Sequence, residues 1–140
     1  MKRTVTALTL AATMFASSAS AFDPDDLQML LDTGECEGCD LSGANLSGAN
    51  LRSTYLGAIL READLSGANM FRVIMSDADL SFANLSDANL EGAYLSGASL
   101  RGANLGGANL GGVDLEYANM NGAILCNTIM PNKLVIYSGC

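Results

Sequence analysis

The chain has 140 residues, of which 49% are hydrophobic and 16% charged, with a formal net charge of −8 and no histidine. An acidic balance of this size leaves no electrostatic footprint for nucleic acid. The lack of histidine removes Ser/His, Cys/His and HExxH chemistry together.

Residues 1–21 read as a signal peptide. Lys2 and Arg3 form a basic start, Val5 to Ala16 is mostly apolar, and Ala19-Ser20-Ala21 is a small-x-small cleavage site. An apolar run of roughly 12 residues is too short to cross a bilayer as a helix. No cysteine follows it directly, so neither a lipid anchor nor a stable membrane anchor is expected. Loss of Lys2 and Arg3 with the leader takes the formal charge from −8 to −10.

The segment 22–39 reads as an N-terminal cap. Asp23 has the chemistry of a helix N-cap, Pro24 fits the first helical position, and Asp25 and Asp26 complement the helix dipole. Leu27, Leu30 and Leu31 make one apolar stripe, and Gly34 stops the helix, which predicts a short amphipathic helix over 24–33. Cys36 and Cys39 follow it.

From Asp40 a period of five takes over: DLSGA-NLSGA-NLRST-YLGA-ILREA-DLSGA and onward to Met130. Along 40–130, 19 central positions recur, 15 of them Leu and 4 Met, each preceded two residues earlier by a small residue, usually Ala. Between Leu56 and Leu60 one residue is missing, and the phase then resumes, which predicts a local adjustment in one unit. Period five fits neither the 3.6 of a helix nor the 2 of a flat strand. It suits a chain that turns a corner every five residues, with Leu and Ala inward and the Asn/Asp, Ser and Gly positions outward at tight turns.

This pattern resembles the pentapeptide-repeat family, summarised as A(D/N)Lxx. The resemblance implies an all-β fold: a right-handed quadrilateral β-helix, four units per coil and about five coils, with the short capping helix at its N-terminal end. At a strand spacing of about 4.8 Å the stack is about 20–24 Å tall. Stacking aligns the centres as Leu41/Leu60/Leu80/Leu100/Met120, Leu46/Leu65/Leu85/Leu105/Leu125, Leu51/Met70/Leu90/Leu110/Met130 and Leu56/Met75/Leu95/Leu115. Asn50, Asn69, Asn89 and Asn109 share one column, where a ladder of side-chain amides is expected. The segment 131–140 forms a C-terminal cap: Pro131 breaks the pattern, and Leu134-Val135-Ile136-Tyr137 reads as a strand laid over the last coil.

Four cysteines in an exported chain suggest two disulfides, with three pairings formally open. Cys36 and Cys39 precede the first coil while Cys126 lies in the last, about 19 Å away on strand spacing. Bridged cysteines need Cα atoms within about 7 Å, so the expected pairs are Cys36–Cys39 and Cys126–Cys140. The second closes a loop of about 15 residues and contributes about 3 kcal/mol on the chain-entropy estimate. The CEGCDLSGANL start and the SGC ending also resemble a signal-bearing, cysteine-capped bacterial branch of the family.

Sites with chemistry are not expected. Cys36-x-x-Cys39 lacks a following βαβ pattern and reads as a staple rather than a redox pair. A zinc site built from all four cysteines fails on the end-to-end distance. The Gly106-Gly107 and Gly111-Gly112 pairs lack the nine-residue period of calcium-binding repeats, and Glu62 and Asp64 lie on a convex, solvated surface. No catalytic residue, cofactor or metal is therefore assigned. One outward column is unusual: Tyr55, Ile74, Tyr94 and Asp114, with Phe71 on the preceding corner. Tyr55, Phe71, Ile74 and Tyr94 form the candidate interface, since contiguous apolar stripes and aromatic residues mark interaction surfaces.

The expected function is a non-enzymatic, exported structural or protein-interaction module of the periplasm or secreted space, its protein partner unidentified and a homodimer among the candidates. The alternative, from cytoplasmic members of the family, is an acidic DNA mimic that binds a topoisomerase or another DNA-binding protein. Export counts against it, as does an array of nine acids and four arginines that nets only −5, with six further acids placed before the repeats. Amino-terminal sequencing of the exported protein is expected to read Phe22 first; an intact Met1 would overturn the leader.

Overall fold

The computed structural model describes residues 22–137 and 139–140, so the leader expected over 1–21 lies outside the described residues. Helix α1 spans Pro24–Thr33. Asp23 caps it, its Oδ1 accepting from the Asp25 N–H at 2.9 Å, and Gly34 ends it at φ 70° with its N–H on the Leu30 carbonyl. Leu30 is fully buried, and Leu27 packs half-buried against the same cluster. The first turn also ties down the coil beneath: the Asp40 N–H donates to Asp26 Oδ2 at 2.8 Å, and the Asp23 N–H to the Asp40 carbonyl at 2.9 Å.

From Glu35 to Ile129 the backbone is a stack of parallel one-residue bridges, spaced 20 residues apart, or 19 where the short unit intervenes. Four columns result. Side one holds Asp40, Ile59, Asp79, Ser99 and Asn119; side two holds Asn45, Asp64, Asn84, Asn104 and Ile124. Side three runs from Asn50 to Ile129, and side four runs Glu35, Tyr55, Ile74, Tyr94, Asp114. Each bridge uses both backbone groups. The Leu65 N–H donates up to the Asn84 carbonyl at 2.8 Å, and the Asn84 N–H donates down to Ala63 at 2.9 Å. The central residues from Leu41 to Leu110 are buried, as are the Ala positions. Each buried Leu contributes about 1.5–3 kcal/mol. Two small-residue slots hold threonine instead. Their hydroxyls stay satisfied in the core, Thr54 donating to the Leu51 carbonyl at 2.8 Å and Thr128 to Leu105 at 2.7 Å.

Corners follow one recipe. The Ala44 N–H donates to the Leu41 carbonyl at 3.0 Å while Gly43 sits at φ 68°, a turn of type II. In the coil that carries Arg72, Asp77, Phe82 and Asp87, all four of these left-handed positions are non-glycine, at φ 55° to 61°. Directly above them, all four are glycine: Gly92, Gly97, Gly102 and Gly107. The larger side chains lie across these glycines; a Cβ on Gly102 would stand 2.6 Å from the Phe82 ring. The short unit at Gly57 makes its corner without such a turn, and the bridge Asp40↔Ile59 restores the register at once.

The Asn column expectation is corrected. On side three the amides serve their own corners, with Asn69, Asn89 and Asn109 Oδ1 accepting from the N–H two residues on at 3.3, 3.2 and 2.9 Å. Such Asx turns fix the side chain locally. Amide-to-amide or amide-to-carboxylate bonds between coils run along side two, Asn84 Nδ2 to Asp64 Oδ1 at 3.3 Å and Asn104 Nδ2 to Asn84 Oδ1 at 3.5 Å, while on side three Asn109 Nδ2 reaches down to Glu91 Oε2 at 3.4 Å.

The C-terminal tail carries the strand expected within 134–137, narrowed to Val135–Ile136, and it lies on the edge of the last coil. A turn closes from the Lys133 N–H to the Met130 carbonyl and reverses the chain. Strand β2 (Val135–Ile136) then pairs antiparallel with β1 (Thr128–Ile129). The tail therefore extends side three by one strand and does not roof the coil. Both disulfides form as the coil spacing requires: Cys36–Cys39 with Cα atoms 5.4 Å apart and Cys126–Cys140 with 4.9 Å.

The Phe82–Gly102 contact gives a test of the corner packing. Gly102→Ala adds a left-handed Cβ, costing about 1–2 kcal/mol, and drives it into the Phe82 ring. It should lower the Tm by several degrees. The double variant Phe82→Gly, Gly102→Ala removes the collision and moves the strained residue up one coil, so its Tm should return close to the parent's.

Candidate interaction surface

Side four collects the residues singled out in the sequence. Tyr55, Ile74 and Tyr94 are consecutive bridge partners and all three are exposed. Their position just before the central Leu points them outward, because the next residue in an extended strand faces the core. Asp114 closes the column above Tyr94, and Glu35 opens it below Tyr55.

Phe71 stands differently. It is half-buried on the corner before side four, with the Arg52 guanidinium 5.0 Å and the Arg72 guanidinium 5.2 Å from its ring centre. The ring is covered by two cations on neighbouring levels, an arrangement worth about 0.5–1 kcal/mol per contact at an exposed site. Two cations therefore reach solvent at this corner, with exposed Glu91 on the coil above. Neither guanidinium has a carboxylate within ion-pair distance; among the described residues the one salt bridge joins Arg61 to Asp79 at 3.5 Å. The surface is thus an apolar ladder edged by two unpaired arginines on an otherwise acidic molecule. Sequence reading placed the ladder but missed the stack, since Arg52, Phe71 and Arg72 meet only through the coil spacing. It also missed exposed Ile59, which the short unit carries to the bridge beside Asp40.

Cys36 and Cys39 are buried in the same cluster as Leu30, where a disulfide is closed to thiol attack. Among the described residues no group of three or more His, Cys, Asp or Glu is placed to hold a metal ion. No helix of the described residues is long and apolar enough to cross a membrane. Glu62 has positive φ at a corner and is exposed, and Asp64 accepts from Ser66 Oγ at 2.6 Å on side two. Asp40 is held below the ordinary carboxylate range by hydrogen bonds from the Ser42 side chain and backbone. At Asp79 partial burial pushes upward, but the Ser81 hydroxyl and N–H and the Arg61 charge outweigh it, and the net shift is downward.

The chain matches the family described as Pentapeptide repeats in 8 copies, over residues 35–77, 74–112 and 93–130. No curated protein matches it. Among solved structures it is similar to the pentapeptide repeat protein Rfr23 from the cyanobacterium Cyanothece 51142, with 29% identity over 71% of this chain and 92% of that one and a TM-score of 0.42. It is also similar to a pentapeptide repeat protein of the Arabidopsis thaliana thylakoid lumen, with 36% identity over 68% of each chain and a TM-score of 0.42. A third is QnrB1, a plasmid-mediated fluoroquinolone resistance protein, with 24% identity over 67% of this chain and 51% of that one and a TM-score of 0.33.

The Asp79 shift sets a direction with pH. A carboxylate whose folded pKa is depressed adds stability above its unfolded pKa, and that contribution is lost as the pH falls through the folded value. Asp79→Asn should therefore flatten the acid limb of a Tm-against-pH curve, by no more than the about 0.2–1 kcal/mol of a partly exposed pair. Parent and variant curves that stay parallel through the carboxylate range would contradict the assignment.

Proposed function

Because the chain belongs to the pentapeptide-repeat family, we propose that it is an exported, non-catalytic protein-interaction module whose right-handed four-sided β-helix presents side four to a protein partner. The observation that carries this reading is the exposed ladder Tyr55–Ile74–Tyr94 beside the unpaired Arg52 and Arg72. Interface cores favour aromatic residues and arginine over lysine and the acids. The acidic N-terminal cap repels other anionic surfaces. A partner for this side is a protein that offers apolar side chains together with carboxylates.

Export is supported by the leader read over 1–21, together with two disulfides, which persist in oxidising compartments. Mimicry of a nucleic acid fits this molecule less well. A mimic needs carboxylates spaced along a side, and here the middle of side four, Tyr55 to Tyr94, is apolar with cations at its edge.

The double variant Tyr55→Ser, Tyr94→Ser tests the surface. Both side chains are exposed, so the circular dichroism spectrum and Tm should stay close to those of the parent. Partner capture from extract of the native compartment should fall by tenfold or more. Unchanged capture would return the ladder to a purely structural role.

A further inference from the structure

The chain holds eleven asparagines, and the backbone N–H that follows each one sets them apart. An asparagine loses its amide when that following nitrogen attacks the side-chain carbonyl, so a hydrogen-bonded N–H or a bulky next residue protects it. In the lower coils the next residue is a core Leu or Met whose N–H donates to the coil above. Leu46 donates to Asp64 at 2.7 Å, Leu85 to Asn104 at 2.7 Å and Leu110 to Ile129 at 2.8 Å. Thr128 and Lys133, which follow Asn127 and Asn132, donate to the Leu125 and Met130 carbonyls at 3.3 and 2.7 Å. Two asparagines of the last coil are followed by an N–H with no backbone partner among the described residues: Asn119 by Met120 and Asn121 by Gly122. Met120 puts a side chain in the way, and Asn119 Oδ1 already accepts from the Asn121 N–H at 3.1 Å. Asn121 has neither protection. It heads the one Asn-Gly pair of the sequence, Gly122 stands at φ 74°, and both residues are exposed.

We propose that Asn121 is a site of spontaneous covalent modification, converted through a succinimide to aspartate and isoaspartate in the folded protein. The Gly122 nitrogen gives its proton to hydroxide and attacks the Asn121 side-chain carbon. A C–N bond forms there, the bond to the side-chain nitrogen breaks, and ammonia leaves with a proton taken from water. Water then adds to either carbonyl of the ring and reopens it. The sum is one water consumed and one ammonia released, with nothing oxidised or reduced. Stacking is what confines this chemistry to the last coil. One coil lower the equivalent N–H, that of Gly102, donates to the Asn121 carbonyl at 2.9 Å, and Gly97 and Gly107 give theirs to Glu116 and Cys126 at 2.8 and 2.7 Å. The two products act differently on the corner. Aspartate keeps the main chain and places a carboxylate one coil, about 4.8 Å, above Arg101, whose guanidinium lies over the Phe82 ring. Isoaspartate carries the main chain through the side-chain carbon. It lengthens the corner by one carbon and turns the Asn121 carbonyl, the acceptor of Gly102, into a free carboxylate. The last coil is thereby loosened while the coils beneath keep their bonds. The isoaspartyl form is also a substrate of the class of carboxyl methyltransferases that use S-adenosylmethionine. The site lies on the corner after side one and does not rest on the partner assigned to side four.

Peptide mapping by mass spectrometry tests it, on folded, oxidised protein held in mildly alkaline buffer. An isoaspartate-specific carboxyl methyltransferase with labelled S-adenosylmethionine gives a second readout. Conversion is expected at Asn121 alone, and faster at higher pH because the Gly122 nitrogen must lose its proton. Asn121→Gln should abolish both signals. Arg101→Asn builds the same dipeptide one coil lower, where the Gly102 N–H is bonded. In the folded protein that site should convert at least about tenfold more slowly than Asn121, because the attacking nitrogen is held in a hydrogen bond. Once both are unfolded in denaturant and reductant, the two should convert at the same rate. Ser96→Asn, before the bonded Gly97, repeats the comparison on another corner. It decides the matter if loss of the Arg101–Phe82 stack alters the circular dichroism spectrum. Equal rates at bonded and unbonded corners of the folded protein would overturn the proposal. So would an Asn121 that converts only after unfolding, or a folded protein that converts first at Asn127 or Asn132.

Discussion

Each coil depends on its neighbour for two things that it cannot provide alone: partners for its backbone and a lid for its leucines. The bridge between Asp64 and Asn84 supplies one N–H going up and one coming down, at 2.8 and 2.9 Å, and closes Leu65 against Leu85 in the same step. A buried N–H left without an acceptor costs about 1–3 kcal/mol, and an uncovered leucine forfeits a similar amount. Both penalties fall on the ends of the stack and cancel in the middle, which is the energetic logic of repeat arrays. The helix, the two disulfides and the antiparallel tail are all responses to that end problem.

The corners add a second constraint, and it couples adjacent coils. A left-handed residue every five positions favours glycine, yet eight described corners of the array, from Ser53 to Asn127, use other residues. Where Asp77, Phe82 and Asp87 take the strained conformation, their side chains fold over Gly97, Gly102 and Gly107 of the next coil. These three bulky corners each lie under a bare one, whereas Glu62 lies under Phe82. Gly92, Gly97, Gly102 and Gly107 thus reflect packing against the coil below as much as turn geometry.

Much of this is legible in the sequence because period five leaves few choices. The Leu and Ala slots, the four columns, both disulfides and the interruption at Gly57 follow from spacing in the chain. Legibility fails wherever a side chain has two partners within reach. Asn69, Asn89 and Asn109 share a column, which favours bonding along it, but their Oδ1 atoms take up the N–H two residues on, as the corner geometry provides. Phe71 belongs to an apolar patch by its sequence position, yet the coil spacing sets Arg52 below it and Arg72 beside it. The tail has the apolar character of a lid. Its direction is set by the turn at Met130–Lys133, and sequence pattern does not encode such a reversal as plainly as alternation.

The placement of Cys126–Cys140 bears on mechanics. Tension on the two ends of the described chain bypasses β2, since the covalent bridge delivers it to the corner after Leu125, within the last coil. From there the load meets the inter-coil hydrogen bonds a few at a time, as a zipper does, while the Cys36–Cys39 bridge holds only a short loop at the far end. Drawn from its ends, the molecule should yield coil by coil at low force and regain each coil on relaxation. Loaded across its sides, it must break many bonds at once and behave as a stiff post.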